Sequence, residues 1–165
     1  KQIFSSKKPS FARLGKSPEI DFYKKRIKNN NDLILTKGKN LTIFTTGNIL
    51  ENAYTAVNKL TTEGYSIKLI SLPTLKPIDE KFIIKNIQTS KVLTIEENVN
   101  IGGLGAIICN TIFKYKKNSK IIFKSLSLDD IVHNNIGSQE YLRKINKLDV
   151  ENISKIIIRF INEKY

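Results

Sequence analysis

Histidine and cysteine occur once each in this 165-residue chain, as His133 and Cys109, and tryptophan and methionine do not occur at all. A nucleophilic triad or a metal centre needs histidine, cysteine or clustered carboxylates at workable spacing, so the chain is expected to hold no catalytic set and no metal site of its own. His133 sits in a polar loop and is not read as catalytic. A disulfide within the chain is excluded, which suits a reducing compartment. Cys109, set among Ile107, Ile108 and Ile112, is expected to be a small buried hydrophobe. No apolar run approaches the ~20 residues that span a bilayer, and the first residues do not read as a signal peptide. A soluble, cytoplasmic chain without membrane association is expected. Acidic residues are scarce against basic ones, 15 against 28, for a formal net charge of +13. The lysines are scattered, however, and no aromatics interleave with them as stacking platforms. The excess therefore reads as solvated surface rather than a nucleic-acid footprint.

What is present centres on Thr94 to Gly105, Thr-Ile-Glu-Glu-Asn-Val-Asn-Ile-Gly-Gly-Leu-Gly. A β-branched run from Lys91 to Ile95 precedes it, and Leu104, Ile107, Ile108 and Ile112 follow at helical spacing, so the glycines mark a strand-to-helix passage. In open α/β sheets such passages form the edge where ligands or partner chains meet the fold. Gly102, Gly103 and Gly105 would let backbone approach a phosphate, a neighbouring strand or another chain. No Lys-Ser/Thr pair follows them, and their spacing is not Gly-X-Gly-X-X-Gly. Neither nucleotide-binding fingerprint is met, and close packing at an interface is the expected role. Glu96 and Glu97 are adjacent on a strand and point to opposite faces, so they do not form an acid–base pair. One is expected to cap or salt-bridge locally and the other to reach a partner chain.

The length suits one domain with some extra material. Pro9 to Gly15 reads as a strand with no partner nearby in sequence, so residues 1–15 are expected to be the remnant of a preceding domain, and residues 16–32 a polar linker lying across a surface. From residue 33 to 165 the pattern is regular. Leu33 to Leu35, a turn at Lys37 to Asn40, and Leu41 to Thr46 read as a hairpin. Asn48 is a candidate N-cap for a helix with Leu50, Ala53, Val57 and Leu60 on its apolar face; Gly64 ends it, and Tyr65 to Ser71 is the next strand. Asp79 caps a short helix carrying Phe82, Ile83 and Ile87. Lys91 to Ile95 and Lys120 to Ser125 are further strands, with the Leu104 to Phe113 helix between them. Ser138 and Asp149 cap the last two helices. The alternation predicts a three-layer α/β/α sandwich around a mostly parallel sheet of four or five strands.

At these residues the chain resembles a known family. Leu41 to Gly47 followed by a helix, Ser71-Leu72-Pro73-Thr74-Leu75-Lys76-Pro77-Ile78-Asp79, Thr94-Ile95-Glu96-Glu97-Asn98, Gly102-Gly103-Leu104-Gly105, Gly137-Ser138-Gln139-Glu140-Tyr141-Leu142-Arg143 and Leu148-Asp149 are together similar to the C-terminal domain of transketolase-type thiamine-diphosphate enzymes. Pro9 to Gly15 looks like the closing strand of the preceding pyrimidine-binding domain.

The resemblance implies a transferase passing a two-carbon ketol unit between sugar phosphates. It implies thiamine diphosphate and a divalent metal, Mg, held by an N-terminal diphosphate-binding domain and a pyrimidine-binding domain, usually across a homodimer interface. This domain would serve assembly through Glu96, Glu97, Gly102, Gly103 and Gly105, bind no cofactor itself and be inactive alone. Arg13 stands where related enzymes place an arginine near the substrate's phosphate end, a task that suits a guanidinium. Lys147 stands where the family often carries glycine. Asn98 is closer to deoxyxylulose-phosphate synthases, whereas Arg13-Leu14-Gly15-Lys16 and Gly137-Ser138-Gln139 look more like the bacterial transketolases built from two polypeptides. The alternatives are such a synthase, the β-subunit of a 2-oxo-acid dehydrogenase, and a free-standing interaction module docking through its glycine loop.

Overall fold

Strands enclosed between two layers are buried on both faces and mostly apolar, and the central ones here follow that rule. Leu41–Thr45 (β2) and Ile67–Ser71 (β3) are buried at every position, and Lys91–Val99 (β4) is buried from Val92 through Glu96. With Leu33–Thr36 (β1) and Ile122–Leu128 (β5) they form one five-stranded sheet in the order β1-β3-β2-β4-β5. The computed structural model describes residues 3, 6–15, 20, 22, 33–116, 119–131 and 134–164; His133 and most of the expected linker lie outside the described residues. Among the described residues no helix is long and apolar enough to cross a membrane.

β3 and β4 flank β2 and run parallel to it, β5 runs parallel to β4, and β1 alone is antiparallel. Helices cover both faces. Leu50–Thr62 (α1) and Val150–Asn162 (α5) pack on one face, where Ala53, Val57, Leu60, Ile153, Ile157 and Phe160 meet Leu41, Ile43, Leu69, Leu93 and Ile95. Glu80–Asn86 (α2) and Leu104–Tyr115 (α3) cover the other, with Ile83, Leu104 and Ile108 against Phe44, Ile70 and Val92. Each such side chain taken out of water contributes about 1.5–3 kcal/mol. The expected three-layer sandwich is the one found.

Local signals placed most element ends. Asp79 accepts from Phe82 N and Ser138 from Tyr141 N, which starts Gln139–Ile145 (α4); Asp149 accepts from Glu151 N and Asn152 N. Burial pushes the Asp149 carboxyl up, but the hydrogen bonds from Asn152 and Glu151 prevail and hold it below its ordinary value. Two of the many lysines serve structure. Lys68 Nζ donates to Asn86 O (3.1 Å) and Gln88 Oε1 (3.0 Å) at the end of α2. Lys91 Nζ donates to Phe160 O, Ile161 O and Glu163 O (2.7–2.9 Å) at the end of α5. Ammonium groups there satisfy the last carbonyls and oppose the negative end of the helix dipole.

Four expectations are corrected. β1 does not form a hairpin with β2. The loop between them is stitched to the start of β3, with Lys39 N and Asn40 N donating to Ser66 O and Asn40 Oδ1 accepting from Ser66 N. Gly38 lies so close to the Ile67 backbone that a Cβ would collide with it. β2 already has parallel neighbours on both sides, so β1 takes the free edge of β3. Asn48 does not cap α1, because a 3₁₀ turn over Gly47–Ile49 precedes the helix and no side chain caps it. Residues 9–15 are not a strand; they carry no regular structure, with Phe11 and Leu14 about nine-tenths exposed. Cys109 is exposed rather than buried, because the run Ala106 to Cys109 is apolar at every position and does not say which side faces inward. Within the stretch expected to be a linker, Phe22 packs edge-on against Tyr54 of α1 with ring centroids 5.1 Å apart.

Lys147 has φ +59°, in the left-handed region that costs a residue with a side chain roughly 1–2 kcal/mol. Lys147→Gly is expected to stabilise the chain by about 0.5–1 kcal/mol and to raise Tm by about 1–4 °C. A fall in Tm on thermal melting would show instead that the lysine side chain makes a contribution of its own.

Candidate functional site

The strand order reverses between β2 and β4, and the crevice that open α/β sheets use for ligands or partners lies beyond the carboxyl ends of those two strands. β4 runs longer than its pattern suggests, to Val99, so Glu96 and Glu97 are within the strand and their side chains diverge as the pleat requires.

Glu96 turns inward and is 1% exposed. Its Oε2 accepts from Leu104 N and its Oε1 from Gly105 N, both at 2.8 Å, so it plugs the start of α3, where unsatisfied N–H groups and the positive dipole end attract an anion. Gly103 and Gly105 make this possible. A Cβ at Gly103 would collide with the Glu96 carboxylate and lie 2.6 Å from Val99 O; one at Gly105 would lie 2.5 Å from Ser125 Oγ and 3.2 Å from Thr94 Oγ1. The close approach is therefore to the chain's own carboxylate and strands. Gly102 turns the loop with φ +72° and opens onto free space, beside Ile101 at 71% exposure. The N–H groups that a phosphate would need are occupied by Glu96. Gly103 and Gly105 are buried, and any partner would meet Gly102 and Ile101 first.

Glu97 turns outward and is bound by α4. Arg143 Nε donates to its Oε1 (2.9 Å) and Nη2 to its Oε2 (2.8 Å), a two-pronged pair across 46 residues. Gln139 Nε2 adds a longer contact to Oε2 at 3.4 Å. Arg143 Nη1 reaches Asn52 Oδ1 of α1 at 3.5 Å, Asn52 Nδ2 donates to Leu148 O (3.0 Å), and Leu148 N donates to Arg143 O (2.7 Å). One carboxylate thus ties β4 to α4, and through Asn52 to α1 and the turn before α5. Both glutamates therefore have local partners. The amino-acid pattern gives Arg143 no role, yet a signal existed: lysine dominates, arginine appears only at positions 13, 26, 143 and 159, and a planar fork does what an ammonium cannot. The pair is largely shielded, at 11% and 26% side-chain exposure. Arg143→Met is expected to lower the unfolding free energy by about 2 kcal/mol, between the values for exposed and buried pairs. Urea denaturation checks this, and a loss under about 0.5 kcal/mol, the worth of an exposed pair, would show that the clamp is ornamental.

Arg13 is exposed and forms no hydrogen bond or ion pair among the described residues. Among the described residues no group of three or more His, Cys, Asp and Glu can hold a metal ion. A depression of about 340 Å³ is lined by Ile78, Asp79, Glu80, Lys81 and Tyr115. Its carboxylates are already engaged, Asp79 in capping α2 and Glu80 with Lys114 (2.8 Å) and Tyr115 (2.7 Å). Among the described residues, the side chains of the carboxyl edge tie β4 to α3 and α4.

Comparison with known proteins agrees with this architecture. The family model described as transketolase, C-terminal domain, matches residues 32–153. The chain is 35% identical over 128 residues to a 1-deoxy-D-xylulose-5-phosphate synthase of Clostridium beijerinckii, covering 76% of this chain and 20% of that protein. It is 29% identical over 164 residues to a subunit of the apulose-4-phosphate transketolase of Phocaeicola vulgatus (94% and 49%), and 34% identical over 125 residues to a putative transketolase C-terminal section of Methanocaldococcus jannaschii (76% and 38%). The chain thus spans about a fifth to a half of the length of these curated relatives. Among solved structures, a split-gene transketolase described as an inactive beta4 tetramer matches with a TM-score of 0.74 at 23% identity, over 90% of this chain and 48% of that one; the likeness is one of fold.

Proposed function

The chain belongs to the transketolase C-terminal domain family, and from that premise we propose that it is the assembly domain of a thiamine-diphosphate-dependent transferase that moves a two-carbon ketol unit between sugar phosphates. The observation that carries the reading is the Glu96 plug. The helix start where an α/β domain of this kind would take a diphosphate is filled by the chain's own carboxylate. The described residues therefore do not fit thiamine diphosphate with its divalent metal, and both are assigned to N-terminal diphosphate-binding and pyrimidine-binding domains, on the same chain or on a partner polypeptide. Relatives named as one subunit of a transketolase and as a C-terminal section support division of the enzyme into pieces. In this reading the protein works in the cytoplasm as a homodimer of such units.

The test is reconstitution. The chain supplied with thiamine diphosphate and Mg is expected to give no ketol transfer from xylulose 5-phosphate, and to support transfer once joined to the diphosphate-binding part. Turnover by the chain alone would overturn the proposal, and turnover of the assembly with pyruvate in place of the ketose would assign the synthase reaction instead.

Residues 11–15 bear on the substrate. Phe11 and Leu14 lie almost fully in solvent, as large apolar side chains do when the surface that covers them belongs to another domain. Arg13 between them is proposed to reach the substrate phosphate in the assembled enzyme. Arg13→Ala is expected to raise KM for phosphorylated sugars about tenfold or more, the loss of one charged hydrogen bond, with kcat little changed. An unchanged KM removes Arg13 from the site.

A further inference from the structure

Two helices start at the carboxyl ends of the strands where the order reverses, α3 after β4 and α1 after β2. Glu96 fills the first of these starts. The second is open: a 3₁₀ turn over Gly47–Ile49 leads into α1, and neither the turn nor the helix has a side-chain cap. Its opening N–H groups and positive dipole end therefore stand at the crevice without a side-chain acceptor. The threonine beneath this start sets it apart. Thr45, the last residue of β2, is 0% exposed, and its Oγ1 is the only buried side-chain oxygen or nitrogen among the described residues that has no hydrogen-bond partner. Along β2, Leu41 and Ile43 face α1 while Phe44 faces α2 and α3, so the pleat turns Thr45 to the α1 side. Ile49 of the 3₁₀ turn joins the same cluster as Ile43, which lays the turn over the hydroxyl. Buried hydroxyls without a partner are costly, and folded chains keep few of them.

We infer that the β2–α1 passage is a subsite for a phosphate group, either inorganic phosphate or the phosphate of a small monoester. The donors come from three sides, which suits a tetrahedral anion: Thr45 Oγ1 from below, the N–H groups of Gly47 and Asn48 from the turn, and the side chains of Thr46 and Asn48, which make no hydrogen bond among the described residues, from beside it. Gly47 has φ +71° and open space where a Cβ would stand, so an anion can come close to the backbone. The hydroxyl is sealed in the free chain. Binding therefore includes a small shift of the turn, which 3₁₀ geometry with its poorer hydrogen bonds permits. Arg143 flanks the site, with Nη1 3.5 Å from Asn52 in the first turn of α1, and a net charge of +13 draws anions to the chain. Glu51 in the same turn opposes them from an exposed position, and Glu97 is neutralised by Arg143. The inference does not depend on the proposed transferase reading, because the chain alone holds every residue named.

The test is a titration of the isotope-labelled chain with inorganic phosphate at constant ionic strength, followed by its amide resonances. Those of Gly47 and Asn48 are expected to move and saturate, while those of Leu104 and Gly105, held by Glu96, stay in place. A parallel titration with glycerol phosphate decides the source. Binding about tenfold tighter than that of inorganic phosphate, the worth of about one further hydrogen bond, assigns the subsite to an ester, and equal or weaker binding assigns it to inorganic phosphate. Thr45→Val separates binding from folding: by removing the orphaned hydroxyl it is expected to raise Tm by about 2–4 °C and to weaken phosphate binding about tenfold or more. Thr46→Asp is expected to supply the missing cap, to raise Tm and to abolish the shifts, its carboxylate taking the place of the phosphate as Glu96 does at α3. No saturable movement at Gly47 and Asn48, movement spread over the lysine-bearing surface instead, or a Thr45→Val chain that binds phosphate as tightly as the parent would overturn the inference. So would a fall in Tm for Thr45→Val, which would show that the hydroxyl has a partner within the protein.

Discussion

Glu96→Gln is expected to lower the unfolding free energy by about 3 kcal/mol, or about 6–12 °C in Tm for a chain of this size. The carboxylate is buried, and each oxygen accepts one backbone N–H, from Leu104 and from Gly105, at 2.8 Å. Glutamine keeps one acceptor and replaces the other with an amide donor. Whichever way it turns, a donor faces a donor in a site closed to water. The lost charge-assisted hydrogen bond is worth about 1.5–3 kcal/mol, and the orphaned N–H adds a desolvation penalty of about 1–3 kcal/mol. Removing a buried charge gives some of this back, but the charge lies at a helix N-terminus, which favours it by up to about 2 kcal/mol. The loss therefore prevails. Urea denaturation gives the free energy, and hydrogen exchange gives the place: the amides of Leu104 and Gly105 should lose protection before those of Ile108. A change below about 1 kcal/mol, less than one orphaned donor costs, would mean that the plug is not what holds α3 to the sheet.

Gly103→Ala is the second large effect, about 2–4 kcal/mol, since overpacking a tight site commonly costs about 1–3 kcal/mol and here it also dislodges Glu96. Gly103 has an extended backbone, φ −79° and ψ −168°, open to any residue, so the whole effect is steric. The new methyl group would meet the Glu96 carboxylate, which is pinned by its two hydrogen bonds, and Val99 O at 2.6 Å, which is backbone and cannot rotate away. Gly105→Ala makes the contrast. Its methyl group meets Ser125 Oγ at 2.5 Å, a short side chain that can turn at the expense of its 3.0 Å hydrogen bond from Thr94, while alanine gains about 1 kcal/mol of helix propensity. Its net effect is expected to stay near about 1 kcal/mol, the overpacking cost less that gain. Equal destabilisation by the two substitutions in thermal melts would refute the assignment of Gly103 as the glycine that the plug requires.

The strand-to-helix passage is legible in the amino-acid order itself, because β-branched residues, glycines and an i, i+3, i+4 apolar series succeed one another from Lys91 to Ile112. The three caps at Asp79, Ser138 and Asp149 are legible for the same reason, since each bonds to a backbone N–H two or three residues ahead. Other features were not. Nothing near Glu97 announces Arg143, and nothing near Leu33 says that β3 will stand between it and β2. The unbroken apolar run from Ala106 to Cys109 likewise gives no hint that Cys109 faces outward.

By itself, then, the order of residues determined the succession of elements, the layered α/β architecture and the family, because dihedral preference, capping and hydrophobic period are written in a few consecutive residues. The tertiary structure alone decided that β1 would take the outer edge of β3, that Glu96 would turn inward to hold α3 while Glu97 turned outward to Arg143, and that Cys109 would face outward from α3. The physical reason is that these are choices between partners many residues apart. They are made only when burial of both sheet faces has fixed the strand order and brought the distant groups within hydrogen-bonding reach.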